Sequence, residues 1–126
     1  MTPVRVVIAN SPAMMPNYFL SKLETKSCTL TTLDAPAGLW DTIPRLRSDL
    51  AIVDLEVVSF TELAKLCHEF PATAFVCIHR LADDSIWAQS LAAGAVDCCL
   101  PADLPRILQN AERYVTLKHA EMISAA

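Results

Sequence analysis

The sequence predicts an α/β domain: a parallel β-sheet with helices packed on both faces. Short aliphatic or β-branched runs alternate along the whole chain with longer segments of helical period. The run Leu50–Asp54 is apolar without interruption up to its terminal acid, as a central strand covered on both faces must be. Residues that start or stop helices fall between the runs, so that five βα units account for the chain. A length of 126 residues, 53% of them apolar, fits one domain with a single core spanning 1–126.

The first strand is expected over Val4 to Ala9. Ser11 and Pro12 then open a helix that turns Tyr18, Phe19, Leu20 and Leu23 to the core and ends near Glu24. Cys28 to Leu33 is the second strand. Pro36, Gly38 and Pro44 interrupt the stretch from Asp34 to Arg47, which predicts a short or irregular helix. After the third strand, Ser59-Phe60-Thr61-Glu62 reads as a capping box, with Leu63, Leu66 and Phe70 on one stripe and Pro71 as the stop. Ala74 to His79 is the fourth strand. Asp83 or Asp84 caps a fourth helix through Ala93, where Gly94 supplies the left-handed residue that ends it. Val96 to Leu100 is the fifth strand. Asp103 caps the last helix, from Leu104 to at least Leu117, with Leu104, Ile107, Leu108, Ala111 and Val115 at helical spacing.

Composition removes several functions. Ten Lys plus Arg against fourteen Asp plus Glu give a net charge of −4, with no basic block to neutralise a phosphate backbone, so direct nucleic-acid binding is not expected. No apolar stretch approaches the roughly 20 residues of a membrane span, and Met-Thr-Pro-Val-Arg leads into a strand instead of a signal peptide, which points to the cytoplasm. Gly38 and Gly94 are the only glycines, too few for a phosphate-cradling loop. Cys28, Cys67, Cys77, Cys98 and Cys99 form an odd set in apolar surroundings without zinc-module spacing, so they read as reduced core thiols.

In a parallel α/β sheet the carboxyl ends of the strands meet in one crevice, the usual ligand position. Asp54 is the acid there, and the other strand ends present Ala9-Asn10, His79 and Pro101. Cys77 and His79 share one face of their strand, with Cys98 or Cys99 opposite. Asp54 has two readings: a reactive carboxylate, or a polar strand end that caps the loop behind it. His79 is either a hydrogen-bonded residue of the crevice or the base for a Cys98 or Cys99 nucleophile. Trp40 packs in the irregular second unit. Trp87, on the fourth helix, is either a core residue or the mark of a partner surface.

The stretch Leu91-Ala-Ala-Gly-Ala-Val-Asp97-Cys-Cys-Leu-Pro101, set at this distance from a strand ending in Asp54, resembles the receiver domain of bacterial response regulators. The resemblance covers the last two thirds of the chain in motif and the first third in pattern. It implies the CheY-like, flavodoxin-like doubly wound fold: a three-layer α/β/α domain on a five-stranded parallel sheet of order 2-1-3-4-5. It also places Asp54 where the family accepts a phosphoryl group from a histidine kinase.

At the other positions the chain departs from the family. The acidic pair that holds magnesium is replaced by Ala9 and Asn10, the Ser or Thr ending the fourth strand by His79, the lysine by Pro101, the proline after it by Ala102, and the switch aromatic by Cys98. Phosphoryl transfer depends on charge neutralisation and positioning by metal and cation. Asp54, the Asn10 amide and a carbonyl near Glu56 make a poor magnesium site, so no cofactor is expected. A protonated His79 replaces the lysine's charge only in part, below neutral pH.

These departures imply a degenerate receiver, a pseudo-receiver that acts by protein–protein interaction without regulated phosphorylation and is not an enzyme. The expected partners are a second copy, a histidine kinase or an output domain. As in the family, contact is expected through the fourth and fifth helices, forming a homodimer, with Tyr114, Leu117 and Met122 carrying the last helix into a linker or dimer contact. Transcriptional control through an output domain following in a longer chain is the commonest role the resemblance implies. The alternatives are a conventional receiver phosphorylated on Asp54 and a small flavodoxin-like enzyme or ligand binder that uses His79 and the cysteines.

Overall fold

The computed structural model describes residues 4–9, 21–22, 24 and 28–125. Asn10 and most of the helix expected between Ser11 and Glu24, including Tyr18, Phe19, Leu20 and Leu23, lie outside the described residues, as do the side chains of Leu104, Val115 and Met122. Five strands form the sheet: β1 (Val4–Ala9), β2 (Cys28–Leu33), β3 (Leu50–Asp54), β4 (Ala74–Ile78) and β5 (Asp97–Cys99). All neighbours pair in parallel, in the order β2-β1-β3-β4-β5. This is the predicted order, and it puts the point where the chain reverses its direction of winding between β1 and β3.

Four described helices cover the sheet: α1 (Leu39–Leu46), α2 (Phe60–Glu69), α3 (Asp84–Ala93) and α4 (Leu104–Ala125). The fourth and fifth helices expected from the sequence are therefore α3 and α4. A 3-10 turn at Pro36–Gly38 precedes α1, which lasts eight residues, contains Pro44 and closes on Arg47 in the left-handed region at φ 51°. The irregular second unit is thus a consequence of its two prolines. Ser59 caps α2 by accepting from the Glu62 N–H at 3.1 Å, while the Glu62 carboxylate accepts from Trp40 Nε1 at 2.7 Å and so ties α2 to α1. Asp83 caps α3 by accepting from the Ile86 N–H, and Gly94 ends that helix at φ 115°. Asp103 Oδ1 accepts from the Arg106 N–H at the start of α4.

β-strand periodicity divides the core into two layers. Val6, Ile8, Leu50, Ile52, Val76, Ile78 and Cys99 face Ile107 and Ala111 of α4. Val7, Ala9, Ala51, Val53, Cys77 and Cys98 face Leu39 and Ile43 of α1 and Leu63 and Leu66 of α2. β3 is buried throughout, which explains its lack of polar alternation. β4 and β5 are shorter than expected from the sequence by a residue or two, although flanking bonds from His79 N–H to the Cys99 carbonyl and from Val96 N–H to the Phe75 carbonyl continue their pairing. All five cysteines are free thiols, and all but the half-buried Cys67 are fully in the core.

Candidate functional site

The crevice at the carboxyl end of the sheet is built by the ends of β1, β3, β4 and β5. Asp54 closes β3 and is completely buried. Its carboxylate Oδ1 accepts the Glu56 N–H at 2.8 Å, and its carbonyl accepts the N–H groups of Val57 and Val58, both at 3.0 Å. The loop after β3 is therefore folded around Asp54, so the capping role read from the sequence is realised whatever else the carboxylate does.

Ala9 ends β1 with 1% of its surface exposed, in register with Val53 of β3 and Leu33 of β2. It contributes a methyl group to the inner layer where an acid would contribute oxygens. Glu56, in the loop after β3, reaches across to Arg80, in the loop after β4, with Nε to Oε1 at 3.1 Å. Both side chains are substantially exposed, so this ion pair lies at the mouth of the crevice and is weak in energy. It bridges the two rims of the crevice. Pro101 is half-buried in the turn after β5, where the Asp103 N–H bonds the Leu100 carbonyl.

His79 follows β4 and is half-buried. Its N–H donates to the Cys99 carbonyl at 3.0 Å, and its ring Nδ1 accepts the Leu81 N–H at 3.0 Å. Of the two cysteines that could face Cys77, the structure brings Cys98: the two are register partners and share the inner layer, whereas Cys99 lies in the outer one. Burial pushes these thiols away from reactivity. It raises Cys77 to about 12, helped by the neighbouring Cys98, and it raises Cys98 and Cys99 as well. With its Nδ1 engaged by the backbone, His79 is not paired with a thiol as a base would be.

The fold family implies magnesium at this position. The residues present do not fit that ion: β1 offers Ala9, Glu56 is paired with Arg80, and among the described residues no group of three or more acidic, histidine or cysteine side chains converges to hold a metal. Asn10, the other magnesium candidate, lies outside the described residues.

A second polar constellation lies at the β5 edge. The Asp97 carboxylate accepts from Arg106 through Nε at 2.9 Å and through Nη2, from Asn110 Nδ2 at 2.9 Å, from Trp87 Nε1 at 3.3 Å and from the Cys98 N–H at 2.9 Å. Burial alone would raise its pKa, but the hydrogen bonds from Arg106, Asn110 and Cys98 prevail and hold it down at about 2. One carboxylate thus fastens α3, β5 and α4. Arg106 and Asn110 stand one turn apart on one helix, a spacing that could have suggested a common partner from the sequence. Trp87 is 41% exposed, and Val96, Leu100 and Leu117, from the flanks of β5 and from α4, are exposed as well. Trp87 therefore takes the surface reading.

No protein-family model matches the chain, and no curated protein matches it by sequence. Solved structures do match in shape. A response regulator from Thermotoga maritima superposes with a TM-score of 0.76 at 21% identity, covering 91% of this chain and 99% of that one. The receiver domain of Francisella response regulator 1452 gives 0.77 at 13% identity, over 93% and 99%. RcsB of Salmonella typhimurium gives 0.75 at 19% identity over 90% of this chain, which spans 61% of the RcsB chain. Strand order and these superpositions agree: the chain has the CheY-like receiver fold of response regulators.

Proposed function

We propose that this domain is a receiver-like module of two-component or phosphorelay signalling that works by protein–protein contact, independently of regulated phosphorylation at Asp54. The observation that carries the reading is the crevice's set of donors. Asp54 stands at the phosphoacceptor's strand end, yet Ala9 is apolar and buried, Glu56 is tied to Arg80, and Pro101 brings no charge. Phosphoryl transfer needs a metal and a fixed cation to spread the developing charge, and among the described residues no cluster of metal ligands converges there. The module is not an enzyme in this reading, a view supported by thiols that burial holds in their protonated form.

Its partners in this reading are a second copy, a histidine kinase or an output domain, met on the face of α3 and α4. The exposed Trp87, Val96, Leu100 and Leu117 support that choice, as does the Asp97 network that stiffens the face. A DNA-binding output would make the role transcriptional, in keeping with the name of the matched RcsB structures, which refers to DNA interaction. No described helix is long and apolar enough to cross a membrane, and the module is proposed to act in the cytoplasm. The buried position of Asp54 at the end of β3 favours one second reading, a conventional phosphoacceptor.

Intact mass after incubation with acetyl phosphate and Mg²⁺, beside an Asp54→Asn control, separates the two. No adduct on a folded protein is the expected result. An adduct that disappears in the control would establish the conventional receiver and overturn the proposal.

A further inference from the structure

The segment between β4 and α3, residues 79–83, forms the rim of the crevice and is held in an unusual way. At its start, His79 is anchored to the sheet through its N–H bond to the Cys99 carbonyl. At its end, Asp83 is anchored as the cap of α3. Between them, Ala82 has φ 33°, in the left-handed region that a residue with a Cβ rarely adopts. Leu81 is 70% exposed, the most exposed large apolar side chain among the described residues. Neither feature is favourable by itself. Inside its two anchors the segment is tied to β3's loop by the exposed Arg80–Glu56 pair and Ala82 packs on the inner layer, while the backbone turn itself is closed by the bond from the Leu81 N–H to His79 Nδ1, at 3.0 Å.

A ring nitrogen can accept that bond only while it carries no proton, with the imidazole proton on Nε2. Imidazolium has two donors and no acceptor, so protonation turns the Leu81 N–H toward another N–H. We infer that the β4–α3 segment is a proton-operated latch: neutral His79 holds Leu81 and the strained Ala82 in place, and protonated His79 releases them. The released segment leads into α3, so the proton alters the presentation of Leu81 and of the first turn of α3 beside Trp87. Proton concentration thereby becomes an input to the surface proposed above for partners.

Among the described residues, these charged and titratable groups lie on the segments flanking His79. From the β3 side come the Asp54 carboxylate and Glu56, from its own segment Arg80, from α3 Asp83 and Asp84, and from the β5 side the Cys98 and Cys99 thiols and Asp103. Glu56 and Arg80 pair with each other. Asn10, outside the described residues, is uncharged in either state.

The test is NMR on the full chain, following the His79 ring and the Leu81 amide from pH 8 to pH 5.5. Leu81 protection against exchange, corrected for the intrinsic pH dependence, is expected to fall about tenfold or more along the ring's own titration curve. In His79→Asn, the side-chain oxygen can accept the same N–H two residues on without titrating, so protection should persist at both pH values. In His79→Ala it should be lost at both. Protection of Leu81 that is unchanged while the His79 ring titrates, a ring that does not titrate in this range, or a fall that survives in His79→Asn would each overturn the latch. The role of the latch in partner contact rests on the proposed function, but its readout does not. A phosphate adduct on Asp54 would leave the latch standing, and an inert latch would leave the reading of the crevice standing.

Discussion

Asp97→Asn is a substitution whose effect on stability, and its pH dependence, can be worked from the structure. The carboxylate is held at about 2 against an ordinary 3.8, and its side chain is only 14% exposed. That depression corresponds to about 2 kcal/mol of folding stability. The sign follows from the direction of the shift: a carboxylate stabilised in the folded state contributes fully above its unfolded value and loses that contribution as pH falls toward about 2. About 1 kcal/mol should already be gone at pH 3. The asparagine keeps an oxygen for the Cys98 N–H but offers Arg106 no charge, so the variant should be about 2 kcal/mol less stable at pH 7. For a domain of this length the loss equals roughly 8 °C in Tm. Urea unfolding followed by tryptophan fluorescence and circular dichroism at pH 7 and pH 3 reads both numbers, and the gap between wild type and variant should narrow at the lower pH. Arg106→Gln should cost less, under about 1 kcal/mol, because Arg106 is 45% exposed and water replaces part of its pairing. A gap at pH 7 below about 0.5 kcal/mol, or one of equal size at both pH values, would refute the view that Asp97 fastens this side of the domain through its charge.

Gly94→Ala should be strongly destabilising, by about 2–4 kcal/mol: a Cβ built there comes within 2.7 Å of the Cys67 Cβ, and φ is 115°. Because the clash is with a Cβ, Cys67→Ala should not rescue it, and thermal melting of the single and double variants checks both statements. The thiols of Cys77, Cys98 and Cys99 should be inert to a chromogenic disulfide reagent at pH 7.5 and react only on unfolding, since burial raises all three. Stoichiometric modification of any of them in the folded protein would reopen the thiol-enzyme reading.

The elements whose cause is local could be read directly from the sequence. The Ser59 and Asp83 caps, the stop at Pro71, the left-handed Gly94 and the fully buried β3 each depend on one residue type doing what only it does cheaply. Sheet order came through the resemblance, because nothing in a single run of residues says which strand it will lie beside. The crevice was legible to the extent that strand ends meet there: Ala9, Asp54, His79 and Pro101 are where they were expected, and Cys98 is resolved as the partner of Cys77. Its internal bonds were not. The Glu56–Arg80 pair joins loops behind neighbouring strands, and His79 spends its ring nitrogen on a backbone N–H two residues away. Both depend on side-chain rotamers fixed by tertiary packing. Asp97 was read as part of a motif, and its role as the common acceptor of α3 and α4 emerged only once Arg106, Asn110 and Trp87 were placed around it.

The methyl group of Ala9 beside the buried Asp54 bears on how such a module keeps time. A crevice packed with carboxylates stores repulsion that a bound cation relieves, and a covalent phosphoryl group then persists until it is hydrolysed, so the state of the domain records a past event. With Ala9 in the inner layer, and Asp54 the one fully buried carboxylate among the described residues, that stored repulsion is absent from the end of β1, and the proposed function needs no mark with a lifetime of its own. In that reading, occupancy of the proposed partner face follows mass action alone, rising and falling with partner concentration as fast as the complex dissociates. Under the proposed function such a module has no memory: its output at any moment reports the present composition of its surroundings.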